Sequence, residues 1–460
     1  MTAAGITARY AGHRKLLVLG ALPVAGYAAW GIAHLAALAG AADGRPHDVS
    51  VAWLTSFLLL WWLPLAWFER PVRVPPGRRG PLAALRVTVQ VPVYNEDPEA
   101  LRACLRSVLA QSRRVNRVRV VDDGSADRVT GEPITYDEVR REFEAQAAVR
   151  GIETTWDRTE NRGKRFAQMR ALAEDDGDIF LTLDSDSVLD RHAVREGLAP
   201  FADPRVRSVA GHVLVLNRAA NLLTRMTCLV YLPFTHGLRS AQSVLRSVTM
   251  NSGALAFYRA DVVRRAAGAY ENERFRGRPM QMNDDSMLTL YSLLAGRTVH
   301  QPSSLVFTLA PERLDHYAKQ QLRWMRGITV RHLWWLRYLP LTGVVFWTTV
   351  AEYLHLLLAL AIPIVLVADP ACRAHLGELS VAAAQIGLAM NYLMALRLFT
   401  VRRSDESTGA RLLLFALAPL ASVWRLLVLR PLYLYAVLTC WRVNRWGTRG
   451  GVEVSLAASV

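Results

Sequence analysis

From Leu16 to Ala42 the chain carries no charged side chain, and a second apolar run extends from Val51 to Phe68. About 20 such residues span a bilayer core of roughly 30 Å at 1.5 Å rise each. The sequence therefore predicts two membrane helices within residues 1–70. The first run is too long for the apolar part of a typical cleaved leader, and the second follows it closely. Arg9, His13, Arg14 and Lys15 precede the first run, and Arg70, Arg73, Arg78 and Arg79 follow the second. Between the runs the only Lys or Arg is Arg45, beside Asp43 and Asp48. The positive-inside rule then places the N-terminus and everything just after Arg70 in the cytoplasm.

Apolar runs return late, at 341–368 and 379–399, followed by Arg402, Arg403 and Arg411. They read as a transmembrane hairpin within 341–400 that comes back to the cytoplasm. A last stretch, 412–440, is interrupted by Arg425, Arg430 and Pro431. An arginine at mid-bilayer costs about 2.5 kcal/mol or more on insertion scales. Residues 411–460 are therefore expected to be interfacial or re-entrant. A further span with snorkelling arginines is the alternative.

Between about 80 and 340 the pattern changes. Arg86–Tyr94 alternates β-branched residues and reads as a strand. Asp97-Pro98 then caps a helix running to about Gln111, with proline at its first position. Arg117–Val121 is a strand ending in Asp122-Asp123-Gly124-Ser125. Asp137–Arg150 and Gly163–Glu174 are helical. Asp178–Leu183 is a strand running into Asp184-Ser185-Asp186. This alternation predicts a parallel sheet with crossover helices. In such sheets ligands bind beyond the carboxyl ends of the strands, where these polar clusters lie.

Composition narrows the class. Hydrophobic residues make up 52% of 460 and charged residues 20%, which excludes a mainly disordered chain. The formal charge of +16 suggests an anionic partner: a phosphorylated substrate, anionic lipid or nucleic acid. The arginines are dispersed and no nucleic-acid-binding motif stands out, so nucleic acid is not expected. The four cysteines lie far apart, with no C-x-x-C pair to suggest a zinc site or disulfide framework.

Asp184 and Asp186 can face one hard divalent cation, Mg²⁺ or Mn²⁺, which takes oxygen ligands and bridges diphosphate oxygens. A solvated turn has the same sequence, but the position after a buried strand favours the metal. Asp123 can accept from a pyrimidine N3–H or a ribose hydroxyl, or belong to an Asx-type turn. Tyr94 could stack on a base or sit in the core. Asn161-Arg162-Gly163-Lys164-Arg165 opens a helix, and a basic helix N-terminus suits a diphosphate. Lys164 is one of three lysines among 55 basic residues, which fits a need for a compact point charge there. Asn283-Asp284-Asp285 precedes a helical run and reads either as capping or as a general base. In Gln320-Gln321-Leu322-Arg323-Trp324, Trp324 offers a sugar-stacking face and Arg323 a diphosphate ligand. An amphipathic helix on the membrane surface has the same look.

Taken in order, Val91-Pro92-Val93-Tyr94-Asn95-Glu96, the Asp-Asp-Gly-Ser turn, Asp-Ser-Asp, the Asp-Asp pair and Gln-x-x-Arg-Trp resemble the processive, membrane-embedded family 2 glycosyltransferases. Within them the chain is most similar to bacterial class I hyaluronan synthases, with chitin-oligosaccharide synthases close behind. Asn161–Arg165, Ser252-Gly253 followed by Tyr258-Arg259, and Trp446-Gly447-Thr448-Arg449 resemble the hyaluronan branch. The resemblance implies an α/β GT-A glycosyltransferase domain at 80–310, a mixed, mostly parallel sheet with flanking helices, inserted between transmembrane helices. It implies interfacial helices at 311–340 carrying Gln-x-x-Arg-Trp. It further implies that Tyr94 and Asp123 hold the uracil of a UDP-sugar, that Lys164 meets the diphosphate, and that Asp184 and Asp186 bind the metal. Asp285 would deprotonate the acceptor, beside a substrate-binding Asp284. Gln320, Arg323 and Trp324 would sit where acceptor and UDP meet. Trp446, Thr448 and Arg449 would close over the substrate as a gating loop, which must then be cytoplasmic.

The chain departs from the family pattern at three places. Asn283-Asp284-Asp285-Ser286 stands where Gly-Asp-Asp-Arg is usual, Met250 stands for a cysteine, and Ala254 follows Ser-Gly in place of proline. These positions line the acceptor region and bear on sugar identity. The expected activity is polymerisation of UDP-sugars (UDP-GlcNAc and UDP-GlcA) by a multi-pass enzyme of the cell membrane, with a growing polysaccharide as acceptor. A synthase of another GlcNAc polymer and a single-addition polyprenyl-lipid transferase are the alternatives.

Overall fold

The computed structural model describes residues 5–12, 15–41, 60–127, 129–280, 282–368 and 370–442. Helix α1 (Lys15–Ala41) is the first apolar run. Most of the second run, and Trp446, Thr448 and Arg449, lie outside the described residues.

The sheet domain begins at β1 (Val87–Val93), whose seven residues are all buried. A strand covered on both faces needs the continuous apolar run that Val87, Val89, Val91 and Val93 supply. Asp97 caps α2 (Pro98–Leu109) as expected: its Oδ1 accepts from the amides of Glu99 at 2.9 Å and Ala100 at 3.1 Å. The helix buries Leu101, Cys104, Leu105 and Val108 against the sheet. There follow β2 (Arg117–Asp122), α3 (Asp137–Val149), β3 (Glu153–Arg158), α4 (Lys164–Ala173), β4 (Ile179–Thr182) and β5 (Ser187–Leu189). The later elements are β6 (Val206–Val215), α5 (Leu222–Leu232), β7 (Ala256–Arg259), α6 (Ala260–Glu271), α7 (Asp284–Ala295) and β8 (Arg297–Thr308).

The eight strands form one sheet in the order β3-β2-β1-β4-β7-β6-β8-β5. The first four are mutually parallel, and β6 and β8 are parallel to each other. β7 runs antiparallel between β4 and β6, and β5 antiparallel on the β8 edge. The sheet is therefore mixed and mostly parallel, with Asp123 and Asp184 just beyond the ends of β2 and β4, the two strands that flank β1.

Beyond the sheet lie α8 (Leu314–Trp335), α9 (Val344–Ala368) and α10 (Leu376–Ala395). Among the described residues four helical stretches are long and apolar enough to cross a membrane: Leu17–Ala37, Val344–Ile362, Leu376–Thr400 and Ala418–Thr439. The last falls within the stretch expected to be interfacial. Arg425 turns inward there, its Nη2 donating to Asn391 Oδ1 and Ser422 Oγ, each at 3.0 Å. Polar partners inside a helix bundle are how an arginine is accommodated at membrane depth. A short ribbon, Ala8–Tyr10 paired antiparallel with Val401–Arg403, ties the N-terminal segment to the end of α10.

Candidate active site

One cavity of about 430 Å³ opens where the strand ends meet α7 and α8. Its wall includes Lys164, Asp184, Asp186, Asp284, Asp285, Gln320, Arg323 and Trp324. Four separate sequence motifs are thus brought to one space. Tyr94 and Asp123 are not on that wall.

Asp122 and Asp123 are engaged differently. Asp122 Oδ1 accepts from the Ser125 amide, three residues on, at 2.9 Å and so closes the strand-end turn, and its Oδ2 pairs with Arg158 at 3.0 Å. Asp123 is buried and accepts from the amides of Arg162 at 3.0 Å and Gly163 at 2.8 Å. Burial pushes its pKa up against the pull of those amides. The strand-end turn is so fastened to the basic segment that opens α4. Tyr94, one residue past β1, is half-buried.

Lys164, the first residue of α4, links two carboxylate motifs. Its Nζ lies 2.7 Å from Asp184 Oδ1 and 2.9 Å from Asp284 Oδ2. Burial alone would lower its pKa, but the two carboxylates reverse the shift and hold it well above the ordinary lysine value. Gly253 makes this possible. A Cβ there would come within 2.9 Å of Lys164 Nζ and 3.0 Å of Asp184 Oδ2. The Ser252-Gly253 motif therefore has a physical reason: the backbone must pass bare beside the ion pair.

Asp284 and Asp285 are adjacent and differently treated. Burial raises Asp284, but Lys164 outweighs it and the net shift is down. Burial and the neighbouring Asp284 charge push Asp285 up to about 6, restrained by Lys164, the Ser286 amide and Arg331. The two neighbours are thus driven apart: Asp284 is held as an anion, and Asp285 keeps a proton to higher pH. The Asp285 backbone carbonyl accepts from Thr289 Oγ1 at 2.7 Å, and its Oδ1 accepts from the Ser286 amide at 2.6 Å.

On α8, Gln320 Oε1 accepts from the Tyr231 hydroxyl at 3.3 Å, and the Trp324 ring tilts against Tyr231 at 5.8 Å between centroids. Trp324 remains 40% exposed, leaving a face free for stacking.

Two wall residues carried no individual role from the sequence. Glu96, within the Val91–Glu96 motif, accepts from Ser185 Oγ at 2.6 Å and so braces the Asp-Ser-Asp turn. Arg239 follows a π-helical turn, Pro233–Leu238, and is 1% exposed. Its Nη1 reaches the Gly211 carbonyl at 3.4 Å, its guanidinium lies 4.6 Å from the Phe234 ring centroid, and its Nε has no hydrogen-bond partner among the described residues. Burial lowers its pKa to about 10 against the opposing pull of Asp285 and Glu69. One arginine among many gives no sequence signal; only the packing singles it out.

Asp184 and Asp186 both face the cavity and offer hard oxygen donors, the set that suits a Mg²⁺-like cation. Among the described residues no cluster of three or more His, Cys, Asp or Glu side chains could hold a metal. Two carboxylates fit a cation whose remaining ligands come from diphosphate and water.

A mostly parallel sheet with carboxylates gathered beyond its strand ends is the GT-A glycosyltransferase architecture. The mannosyltransferase PcManGT from Pyrobaculum calidifontis, solved in complex with GDP-Man and Mn²⁺, shares the fold at a TM-score of 0.54 and 21% identity, over 89% of this chain and 98% of that one. The family model "Glycosyltransferase like family 2" matches residues 84–327, and the chain belongs to that family. The hyaluronan synthase of Streptococcus pyogenes is 32% identical over 370 residues, covering 80% of this chain and 84% of its own. An N-acetylglucosaminyltransferase of Azorhizobium caulinodans is 35% identical over 244 residues, 53% of this chain and 59% of its own.

Proposed function

We propose that this protein is a processive, inverting glycosyltransferase of the cell membrane that polymerises UDP-GlcNAc and UDP-GlcA into a hyaluronan-like chain and passes it outward. One observation carries the reading: Lys164 joins the Asp-Ser-Asp and Asp-Asp motifs at a single cavity, where Asp285 has its pKa raised and Trp324 offers a stacking face. Donor diphosphate, base and acceptor platform are then within one substrate's reach. Arg239 supports an acidic sugar, because a buried guanidinium on the wall that forms no carboxylate ion pair among the described residues suits a uronate. The hyaluronan synthase relative supports the same pair of donors. The four apolar helices and the basic residues flanking the first of them support a multi-pass protein with its catalytic domain in the cytoplasm.

The transfer is a single displacement. The acceptor hydroxyl loses its proton to Asp285 as its oxygen bonds to the anomeric carbon. The bond from that carbon to the diphosphate oxygen breaks, and its electron pair leaves with UDP. Asp184 and Asp186 would hold Mg²⁺ or Mn²⁺, which supplies charge stabilisation for the departing diphosphate. Lys164 and Arg323 add fixed positive charge there. Asp123 and Tyr94 would hold the uracil, and Gln320 and Trp324 the acceptor. Trp446, Thr448 and Arg449 are assigned to closure over the substrate from the motif alone.

The test is UDP release by the purified protein in nanodiscs with Mn²⁺ or Mg²⁺, given each UDP-sugar singly and both together. Strong synergy, abolished in Asp285→Asn and by chelation, is expected. Turnover with UDP-GlcNAc alone, indifferent to UDP-GlcA, would instead assign a chitin-like synthase. No release with any UDP-sugar would overturn the enzyme reading.

A further inference from the structure

Asn283 holds the N-cap position of α7 but does not act as a cap. An asparagine there ordinarily turns its side chain back to accept from an amide of the first helical turn. Here the side chain makes no such bond, and the residue sits in the left-handed region at φ 62°, ψ 34°. Asparagine is among the few residues other than glycine that tolerate this conformation. The backbone before it is held from beneath. Buried Arg165 donates to the Met282 carbonyl at 2.5 Å and to the Tyr270 carbonyl at 3.1 Å, and it forms an ion pair with Glu273.

The Asn283 carboxamide lies instead across α8, against Gly327. A Cβ at Gly327 would overlap Asn283 Oδ1 and lie 3.3 Å from its Cγ and 3.8 Å from its Nδ2. Glycine inside a helix is unfavourable relative to alanine, so its presence opposite this side chain needs a reason, and the close approach supplies one. Asn283 also lines the cavity beside Asp285 and Trp324. Among the described residues its carboxamide has no hydrogen-bond partner, although it is half-buried and carries two donors and an acceptor.

We infer that Asn283 and Gly327 form a matched pair that presents the Asn283 carboxamide to the acceptor sugar, as a specificity contact next to the base. The inference rests on the proposed glycosyl transfer and deepens it. The ligand is the terminal saccharide of the acceptor, whose hydroxyl or acetamido group can both give and take a hydrogen bond from an amide. Gly327 leaves the carboxamide its seat, and the left-handed backbone at Asn283 keeps it off the helix end.

The experiment measures UDP release with short oligosaccharide acceptors ending in N-acetylglucosamine or in glucuronic acid. It compares wild type, Asn283→Gly, Gly327→Ala and the double variant. Asn283→Gly suits the left-handed backbone and Gly327→Ala suits a helix, so both chains fold. Loss of one neutral hydrogen bond predicts about a fivefold rise in acceptor KM for Asn283→Gly, with donor KM moving far less. Gly327→Ala displaces the carboxamide and should raise acceptor KM similarly. The double variant should be no worse than Asn283→Gly alone, because the added methyl group then meets empty space. An acceptor KM within twofold of wild type in Asn283→Gly, or penalties that add in the double variant, would overturn the inference and leave the glycosyltransferase reading standing. Absence of UDP release from the wild type with every UDP-sugar would overturn both.

Discussion

Arg397 Nη2 lies 3.3 Å from Glu69 Oε2, across 328 positions of sequence, with both side chains buried. Arg397 follows α10, and Glu69 follows the short helical turns that precede the catalytic domain. Further hydrogen bonds hold the pair in place. Ser240 Oγ donates to Glu69 at 2.6 Å, His300 Nδ1 lies 2.7 Å from Glu69 Oε1, and Arg397 Nη1 donates to the Ala66 carbonyl at 2.6 Å. This is a weld between an apolar helix and the sheet. Removing one partner of a buried pair strands the other charge at a cost of about 3–5 kcal/mol. Glu69→Ala should therefore lower the apparent Tm by about 10 °C for a catalytic domain of this size. Thermal unfolding in detergent, with Asp285→Asn as a variant expected to melt no lower than wild type, checks this. An unchanged Tm would show that the weld contributes nothing.

The same network makes stability depend on pH. His212 Nδ1 lies 3.3 Å from His300 Nε2, so two neutral rings relay from Glu69 into the sheet. Burial depresses both imidazole pKa values, that of His212 far below the ordinary value. The folded state then refuses protons that the unfolded state accepts. Stability is full above about pH 6.5 and falls on acidification, by as much as 1.4 kcal/mol per pH unit per histidine. Glu69, held below the usual carboxylate range by His300 and Arg397 despite its burial, adds to the loss below about pH 4.5. Apparent Tm measured from pH 8 to 5 should drop on the acid side, and His212→Gln should flatten the slope.

Much of the candidate site was legible in the sequence because it is local. Asp97-Pro98 announces its helix through capping chemistry confined to four residues, and Asp184-Ser185-Asp186 is a turn at the end of a buried strand. The weld was not legible: Glu69, Ser240, His300 and Arg397 come from four distant segments, and none has a pattern of its own. Arg239 was hidden for the same reason. The antiparallel strands β5 and β7 are three and four residues long, too short for an alternation signal to stand out. The rarity of lysine did point to Lys164, whose Nζ sits between two carboxylates and against bare Gly253. A guanidinium would be hard to seat there.

Asp285 should set the acid limb of the rate profile. With its pKa up to about 6, the carboxylate is protonated and useless as a base below that pH. The logarithm of kcat should fall with unit slope below about pH 6 and level off above it. Asp285→Asn should lower kcat by about 10²–10⁴-fold with little change in donor affinity. Asp284→Asn removes the neighbouring charge that helps raise Asp285, so its acid limb should move to lower pH. An acid limb that stays in place in Asp284→Asn would assign the titration to another group.

Arg239 tests the acidic-sugar reading through selectivity. A charge-assisted hydrogen bond to a carboxylate contributes about 1.5–3 kcal/mol, so Arg239→Gln should lower kcat/KM for UDP-GlcA by about 10–100-fold. UDP-GlcNAc carries no carboxylate and should be affected much less. Arg239 also acts electrostatically on Asp285, and its loss would raise the pKa of the base. The comparison therefore belongs near pH 8, where Asp285 is ionised in either protein. Selective loss of UDP-GlcA turnover at that pH would place the carboxylate of the donor, or of the last sugar added, against the Arg239 guanidinium. Equal losses with both donors would make Arg239 a structural support of the cavity wall and remove the main structural argument for a uronate.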